Sequence, residues 1–384
     1  MTVYIDISQL EKTRAHTGIQ RVVKEFLRRA VKSTSIVYQP ILFDTKDDFP
    51  SVRLLDINEI KHFLENPLYY QFQQKILSDI SSLCAIDFPL FFEIDSVWNT
   101  TVKRKILYPL VKEKGAKIVN VVYDLTPVLF AQYAYKETIP NFPSYLSAIY
   151  NYSDLVFFPS YASKNDFLEY CHDAHSSIVP KTKVIPLGYD HLSTDSSMPL
   201  LSDIESLLNK KYILFVGTLE ARKNHAEVLK AFELLHQKYN DLHLVFIGKK
   251  GWKVDNLMQN IISHTLLNSR FFWLNNINDL TLNQFYKHAF IVTYLSKYEG
   301  YGLPLVESLK HGNITITSKN SSLPEVGKDF ADYTTDDTPE ALADLISYYY
   351  EHPRDYEKKK NFIKKHFQPL SWDQFYRSVC QEFI

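Results

Sequence analysis

The chain predicts two doubly wound α/β units, each built on a parallel sheet, and three observations point there. Short uninterrupted β-branched runs alternate with longer amphipathic ones; 384 residues exceed one ordinary core; and a polar, turn-rich stretch lies near the middle. Apolar runs without polar alternation mark strands buried on both faces, as in sheets covered by helices on both sides.

The first expected strand is Val3 to Ile7, followed by residues 117–123, 154–158, 183–187, 212–216, 242–247, 290–294 and 314–317. Between them lie helical segments such as Ala226 to Lys238, where Val228, Leu229, Phe232 and Leu235 fall at helical spacing. His191 to Pro199 reads as a linker, placing the boundary between Tyr189 and Asn209. The expected units are residues 1–195 and 196–370. Ser371 to Ile384 forms a separate amphipathic helix, with Trp372, Phe375, Tyr376 and Val379 on one face.

Composition narrows the class. Hydrophobic residues at 45% and charged residues at 23% are near the globular average, which excludes a disordered or fibrous chain. A net charge of -1 gives no field to draw nucleic acid or an anionic membrane. The lysines at 358–360, 364 and 365 read as a solvated helix face, with contact to anionic headgroups as the competing reading. The 26 Tyr and 25 Phe fill core; the alternative is that some line a carbohydrate cleft, since flat rings suit the apolar faces of sugars. Cys84, Cys171 and Cys380 are too few and too scattered for a disulfide framework and fit a reducing compartment. Neither a signal-peptide pattern nor a bilayer-spanning run of ~20 apolar residues is visible. The expected location is the cytoplasm, with peripheral contact at the inner face of the cell membrane left open. His172 and His175 are three apart with no third metal ligand near them, so exposed histidines are the expected reading.

Two segments concentrate chemistry. After the strand at 212–216 come Gly217-Thr-Leu-Glu-Ala-Arg222-Lys223-Asn-His225. Ligands of doubly wound sheets bind outside the carboxyl ends of strands. There Arg222 offers a fork, Lys223 a point charge, and the following helix its backbone N–H groups, a plausible diphosphate site that needs no metal. Alone, the segment is equally readable as an exposed charged turn. After the strand at 290–294 comes Tyr298-Glu299-Gly300-Tyr-Gly302-Leu303-Pro304-Leu-Val-Glu307. Gly300 and Gly302 allow close approach of backbone to ligand, and Pro304 suits a first helical turn. Glu299 then lies in the loop and Glu307 about one turn into the helix, where it can grip ribose hydroxyls. A single Glu near a helix start is usually a surface residue complementing the dipole; two framing a Gly-rich turn are more specific.

This segment resembles the Glu-x7-Glu signature of family-four retaining glycosyltransferases, and Arg222-Lys223 stands where that family keeps its basic pair. The resemblance spans roughly Lys211 to Asp337 and includes Ser321 to Gly327. It implies a GT-B fold: two Rossmann-like domains facing a central cleft, the final helix crossing back to the N-terminal domain. It also implies that Glu307 holds the ribose and Glu299 meets the donor sugar, with Arg222 and Lys223 stabilising the leaving diphosphate. Gly217, Gly300, Gly302 and Leu303 would lie close to the donor, and residues 275–280 would border the base.

In the N-terminal half, Thr17-Gly18-Ile-Gln-Arg21 is similar to a Thr-Gly-Ile-x-Arg segment of the family's surface-polysaccharide branch. Gly18 would approach the donor phosphate or the acceptor; Arg21 would meet an anionic group or lie on a helix face. Tyr123-Asp124-Leu-Thr-Pro127 resembles the family's His-Asp-x-x-Pro loop with Tyr for His, which removes an imidazole role and leaves Asp124 to polarise the acceptor hydroxyl or bind sugar. Ser160-Tyr-Ala-Ser163-Lys looks like the family's Ser-x-x-Ser-Lys segment, with an N-cap as its plain role.

The resemblance implies a retaining, metal-independent hexosyltransferase with no cofactor beyond its nucleotide-sugar substrate, and no Asp-x-Asp pair is present. GDP-mannose is the first-choice donor. The acceptor would be an oligosaccharide or lipid-linked glycan such as lipopolysaccharide O-antigen. A non-catalytic scaffold subunit of a polysaccharide assembly complex and a GT-B epimerase are the alternatives. Arg222, Lys223, Glu299 and Glu307 argue against the scaffold, which has no use for them.

Overall fold

The computed structural model describes residues 2–13, 17–46, 49–66, 70–72, 77–79, 90–174, 178–190 and 202–383. His16, Cys84, His175 and the expected linker His191 to Pro199 lie outside them. The chain divides into two compact units, Met1–Gly188 with Leu370–Ile384, and Tyr189–Pro369.

The N-terminal unit carries strands β1 (Thr2–Asp6), β2 (Val37–Lys46), β3 (Phe49–Leu54), β4 (Leu77–Asp79), β5 (Leu90–Glu93), β6 (Lys117–Val121), β7 (Leu155–Phe158) and β8 (Lys181–Val184). Its helices are α1 (Ser8–Thr13), α2 (Gly18–Ala30), α3 (Ile57–Glu65), α4 (Arg104–Glu113), α5 (Thr126–Leu129), α6 (Thr138–Tyr152), α7 (Tyr161–Asp173) and the chain-terminal helix, here αC (Trp372–Cys380). The sheet order is β4-β3-β2-β1-β5-β6-β7-β8. From β2 to β8 the pairs are parallel, whereas β2–β3 and β3–β4 are antiparallel. The wholly parallel expectation is corrected at that edge. The strand expected at residues 183–187 pairs earlier, at Lys181–Val184, because Pro186 has no N–H for a ladder. Ser371 caps αC with a full capping box, and Trp372, Phe375 and Val379 are buried there. Tyr376 is half-buried, its ring 5.1 Å from Phe26 of α2.

Strand order reverses between β1 and β5, and a buried polar cluster sits at their carboxyl ends. Arg104 Nε donates to Glu93 Oε1 at 2.6 Å and its guanidinium also pairs with Asp6. Tyr108 donates to Glu93 as well, and Asn120 Nδ2 donates to Glu93 Oε2 at 3.2 Å. One buried arginine therefore serves two carboxylates directly. Burial pushes the Glu93 carboxyl up to about 7 despite Arg104, with Asp6 adding to the rise. A carboxyl raised in the folded state contributes stability that is complete below its unfolded pKa and lost as pH rises through the folded one. Glu93 thus makes stability decline between about pH 4.5 and pH 7. Glu93→Gln should flatten that stretch of the thermal-melt profile; an unchanged slope would show that Glu93 does not carry it.

The C-terminal unit runs α8 (Ser202–Leu208), β9 (Lys211–Val216), α9 (His225–Leu235), β10 (Leu242–Ile247), α10 (Asp255–Ile262), β11 (Phe271–Leu274), α11 (Asp279–His288), β12 (Ile291–Tyr294), α12 (Leu303–Lys310), β13 (Thr315–Thr317), α13 (Leu323–Gly327), β14 (Asp332–Tyr333), α14 (Pro339–Glu351) and α15 (Pro353–His366). Its sheet order is β11-β10-β9-β12-β13-β14, with every pair parallel. Ile213 and Phe215 of β9 enter one core; Tyr212, Leu214 and Val216 enter the other, with Phe285 and Tyr286. A strand buried on both faces has no polar alternation, which is why its apolar run was legible. Strand order reverses between β9 and β12, so the loops at their carboxyl ends form the crevice such sheets use for ligands.

Candidate functional site

β9 delivers Gly217, and the chain then forms a 3-10 turn at Ala221–Lys223 and passes through Asn224, left-handed at φ 48°, into α9. Gly217 lies directly against the Lys223 side chain, where a Cβ would make van der Waals contact with its Cδ and Nζ at 3.4 Å. β12 delivers the second loop. Its Lys297 N–H donates to the Arg222 carbonyl at 2.8 Å, tying the loops together. Gly302, at φ 94°, is the N-cap of α12, a conformation that disfavours any side chain. Gly300 and Tyr301 complete the turn, and Leu303 and Pro304 open the helix.

These loops bring Arg222, Lys223 and Glu299 into one buried cluster. Arg222 Nη1 lies 2.7 Å from Glu299 Oε1 and Lys223 Nζ 3.5 Å from the same oxygen. Arg222 Nη1 also donates to the Tyr298 carbonyl at 2.7 Å, and Nε to Glu220 Oε2 at 2.9 Å. Lys223 Nζ donates to the Tyr294 hydroxyl at 3.2 Å. Burial would raise the Glu299 carboxyl, but Arg222 and then Lys223 outweigh it and hold it at about 2. Glu220 goes the other way: burial lifts it despite the same two cations, and Glu299 adds to the rise. Ser321 and Ser322 fix the Glu299 backbone, Ser321 Oγ accepting its N–H at 2.9 Å and Ser322 Oγ donating to its carbonyl at 2.9 Å. His225, the first residue of α9, is buried against Phe215, with ring centroids 4.1 Å apart, and burial with Lys223 nearby lowers it to about 3. A neutral ring beside Lys223 adds no charge to the cluster. Glu307 is also buried, and it accepts a hydrogen bond from the Tyr286 hydroxyl of α11 at 2.9 Å.

A cluster of two cations and two carboxylates on a parallel sheet's switch point can take a diphosphate if the cations exchange carboxylate for phosphate oxygens. The α9 N-terminus faces the same end. Among the described residues, no group of three or more His, Cys, Asp and Glu could hold a metal ion.

Gly18 and Asp124 belong to the N-terminal unit. Gly18 is the first residue of α2, exposed, behind Thr17, whose hydroxyl accepts the Gln20 N–H at 3.3 Å. Asp124 is half-buried and its Oδ1 accepts the Thr126 N–H at 2.9 Å, opening α5. Tyr123 is buried, its hydroxyl donating to the Ile94 carbonyl at 2.7 Å. Ser160 caps α7 by accepting the Ser163 N–H at 3.1 Å. Residues 275–280 follow β11, with Asn278 capping α11. Glu220, Tyr294 and Tyr286 escaped the sequence reading. Tyr294 and Tyr286 meet their partners only through the fold, whereas Glu220 stands two residues from Arg222, a spacing that was there to be read.

Residues 202–368 match the family model described as Glycosyl transferases group 1. That stretch of the chain is similar to group 1 glycosyltransferases. Over 96% of its length the chain is 26% identical to the serotype-specific mannosyltransferase WbdA of Escherichia coli, covering 43% of that protein. It therefore spans under half of that relative. Over 55% of its length it is 26% identical to O-antigen chain mannosyltransferase B of Escherichia coli, again covering 55%. Among solved structures, Anabaena Alr3699/HepE, in complex with UDP and glucose, superposes with a TM-score of 0.71 at 16% identity, covering 99% of this chain and 98% of that one. Sucrose-phosphate synthase from Thermosynechococcus elongatus gives 0.64 at 14% identity, covering 100% and 98%. These likenesses bear out the GT-B fold, and the stretch matched by the family model lies in the C-terminal unit. No helix among the described residues is long and apolar enough to cross a membrane.

Proposed function

We propose that the protein transfers a hexose, mannose from GDP-mannose in the first instance, to a growing surface glycan such as O-antigen, with retention at the anomeric carbon. The observation that supports this most is the Arg222–Lys223–Glu299 cluster at the switch point of the C-terminal unit, together with two relatives named as mannosyltransferases. In this reading the bond from anomeric carbon to diphosphate oxygen breaks and the acceptor oxygen bonds to that carbon on the same face. The acceptor's proton passes to the leaving phosphate oxygen. Arg222 and Lys223 neutralise the charge that develops there, which is where preorganised donors contribute most. Glu307 grips the ribose, Glu299 meets the donor sugar, Gly18 approaches the donor, and Asp124 polarises the acceptor hydroxyl. Two side-chain cations and a helix start supply the positive charge, so the reaction is metal-independent. In this reading the protein works in the cytoplasm.

The test is a transfer assay with GDP-mannose, UDP-glucose and dTDP-rhamnose on a lipid-linked glycan acceptor, with and without excess chelator. GDP-mannose should give product whose anomeric configuration matches the donor, at a rate the chelator leaves unchanged. Inverted product would overturn retention, chelator sensitivity the metal-free reading, and transfer from another donor alone the choice of mannose.

A further inference from the structure

We infer that Tyr286 is a positioning residue for the ribose grip of Glu307, an inference that rests on the sugar-nucleotide reading above. Glu307 lies on α12 at 4% exposure, and Tyr286, on α11, has no exposed surface. The Tyr286 hydroxyl donates to Glu307 Oε2 at 2.9 Å. Burial, then Glu307 itself, raises the phenol well above its ordinary pKa, so the hydroxyl keeps its proton and remains a donor. A carboxylate offers about four acceptor sites, so one taken by Tyr286 leaves capacity for a vicinal pair of hydroxyls. A bidentate grip on such a pair needs the carboxylate plane held, and a bond to a neighbouring helix holds it.

Tyr286 is itself fixed. Asn313 Nδ2 donates to its carbonyl at 2.7 Å, and its ring stacks on His311 with centroids 5.2 Å apart and planes 21° apart. His311 Nδ1 pairs with the Glu307 carbonyl at 2.7 Å and Nε2 with Asn283 Oδ1 at 2.5 Å. Glu307 is thus tied to α11 through both its backbone and its side chain, and the Tyr286 hydroxyl belongs to the side-chain tie.

Tyr286→Phe deletes that hydroxyl and keeps the ring stack. The measurement is the dissociation constant of GDP, 2′-deoxy-GDP, 3′-deoxy-GDP and inorganic pyrophosphate for wild type, Tyr286→Phe and Glu307→Gln. Tyr286→Phe should weaken GDP about tenfold, shrink its advantage over the deoxy forms, and leave pyrophosphate unchanged, since a hydrogen bond to a charged group contributes on that order. Glu307→Gln retaining the full ribose preference would sink the ribose reading, and the inference with it. Glu307→Gln losing the preference while Tyr286→Phe keeps both affinity and preference would overturn only the positioning role. Equal weakening of pyrophosphate by Tyr286→Phe would also overturn it, as the effect would then be a general loss of structure.

Discussion

Lys223→Ala should cut glycosyl transfer by about a hundred- to a thousandfold, the cost of removing one preorganised donor from a developing oxyanion. Lys223 is 8% exposed and lies between Glu299 Oε1, at 3.5 Å, and the Tyr294 hydroxyl, at 3.2 Å. At that low exposure little screening stands between its charge and a phosphate in the same crevice. Arg222 remains in the variant but is shared among Glu220, Glu299 and the Tyr298 carbonyl, and cannot replace a second point charge. Lys223→Met keeps the stem and removes only the charge, so it separates electrostatics from packing. Both variants should melt as a folded protein and bind pyrophosphate weakly. A purified Lys223→Ala protein with near wild-type transfer would end the diphosphate assignment and leave the cluster a purely structural ion pair.

Arg104→Ala should cost about 3–5 kcal/mol, because it strands Asp6 and Glu93 in the core with no cation. Both carboxylates are fully buried, and Arg104 also donates to the Val102 carbonyl at 2.8 Å and Thr100 Oγ1 at 3.2 Å. For a unit of about 200 residues such a loss lowers the melting temperature by about 10 °C. The loss should be smaller at pH 5 than at pH 8, since burial already raises Glu93 and proton uptake relieves it once the arginine has gone. Neutralising the whole set as Asp6→Asn, Glu93→Gln, Arg104→Met should recover most of the stability. An Arg104→Ala melt within about 2 °C of wild type would show that the cluster is solvated or rearranges freely.

The fold was legible wherever local pattern suffices. The strands of the C-terminal unit are apolar runs because helices cover both faces of its sheet, and residues 212–216 and 242–247 fall within β9 and β10. The helix start at Leu303 followed from a glycine before it and a proline at its second residue. The antiparallel edge β2–β3–β4 was not legible, because an edge strand needs neither a long apolar run nor a helix cover. β5 and β11 also went unread, although β7 and β12, equally short, were legible.

The sequence by itself determined which chemistry is present: a basic pair after one strand, two glutamates around a Gly-rich turn after another. These are contiguous, and their meaning comes from residue type and spacing. Tertiary structure alone decided the partnerships. Lys223 meets Tyr294 across 71 positions, Arg222 meets the Tyr298 carbonyl across 76, and Glu307 meets Tyr286 on a different helix. The reason is that parallel crossovers bring the carboxyl ends of β9 and β12 side by side while the chain between them passes through β10, β11 and three helices. Charge is written in the residues; how it is balanced, and so how Glu299 stays ionised in a buried crevice, depends on what the sheet sets beside it.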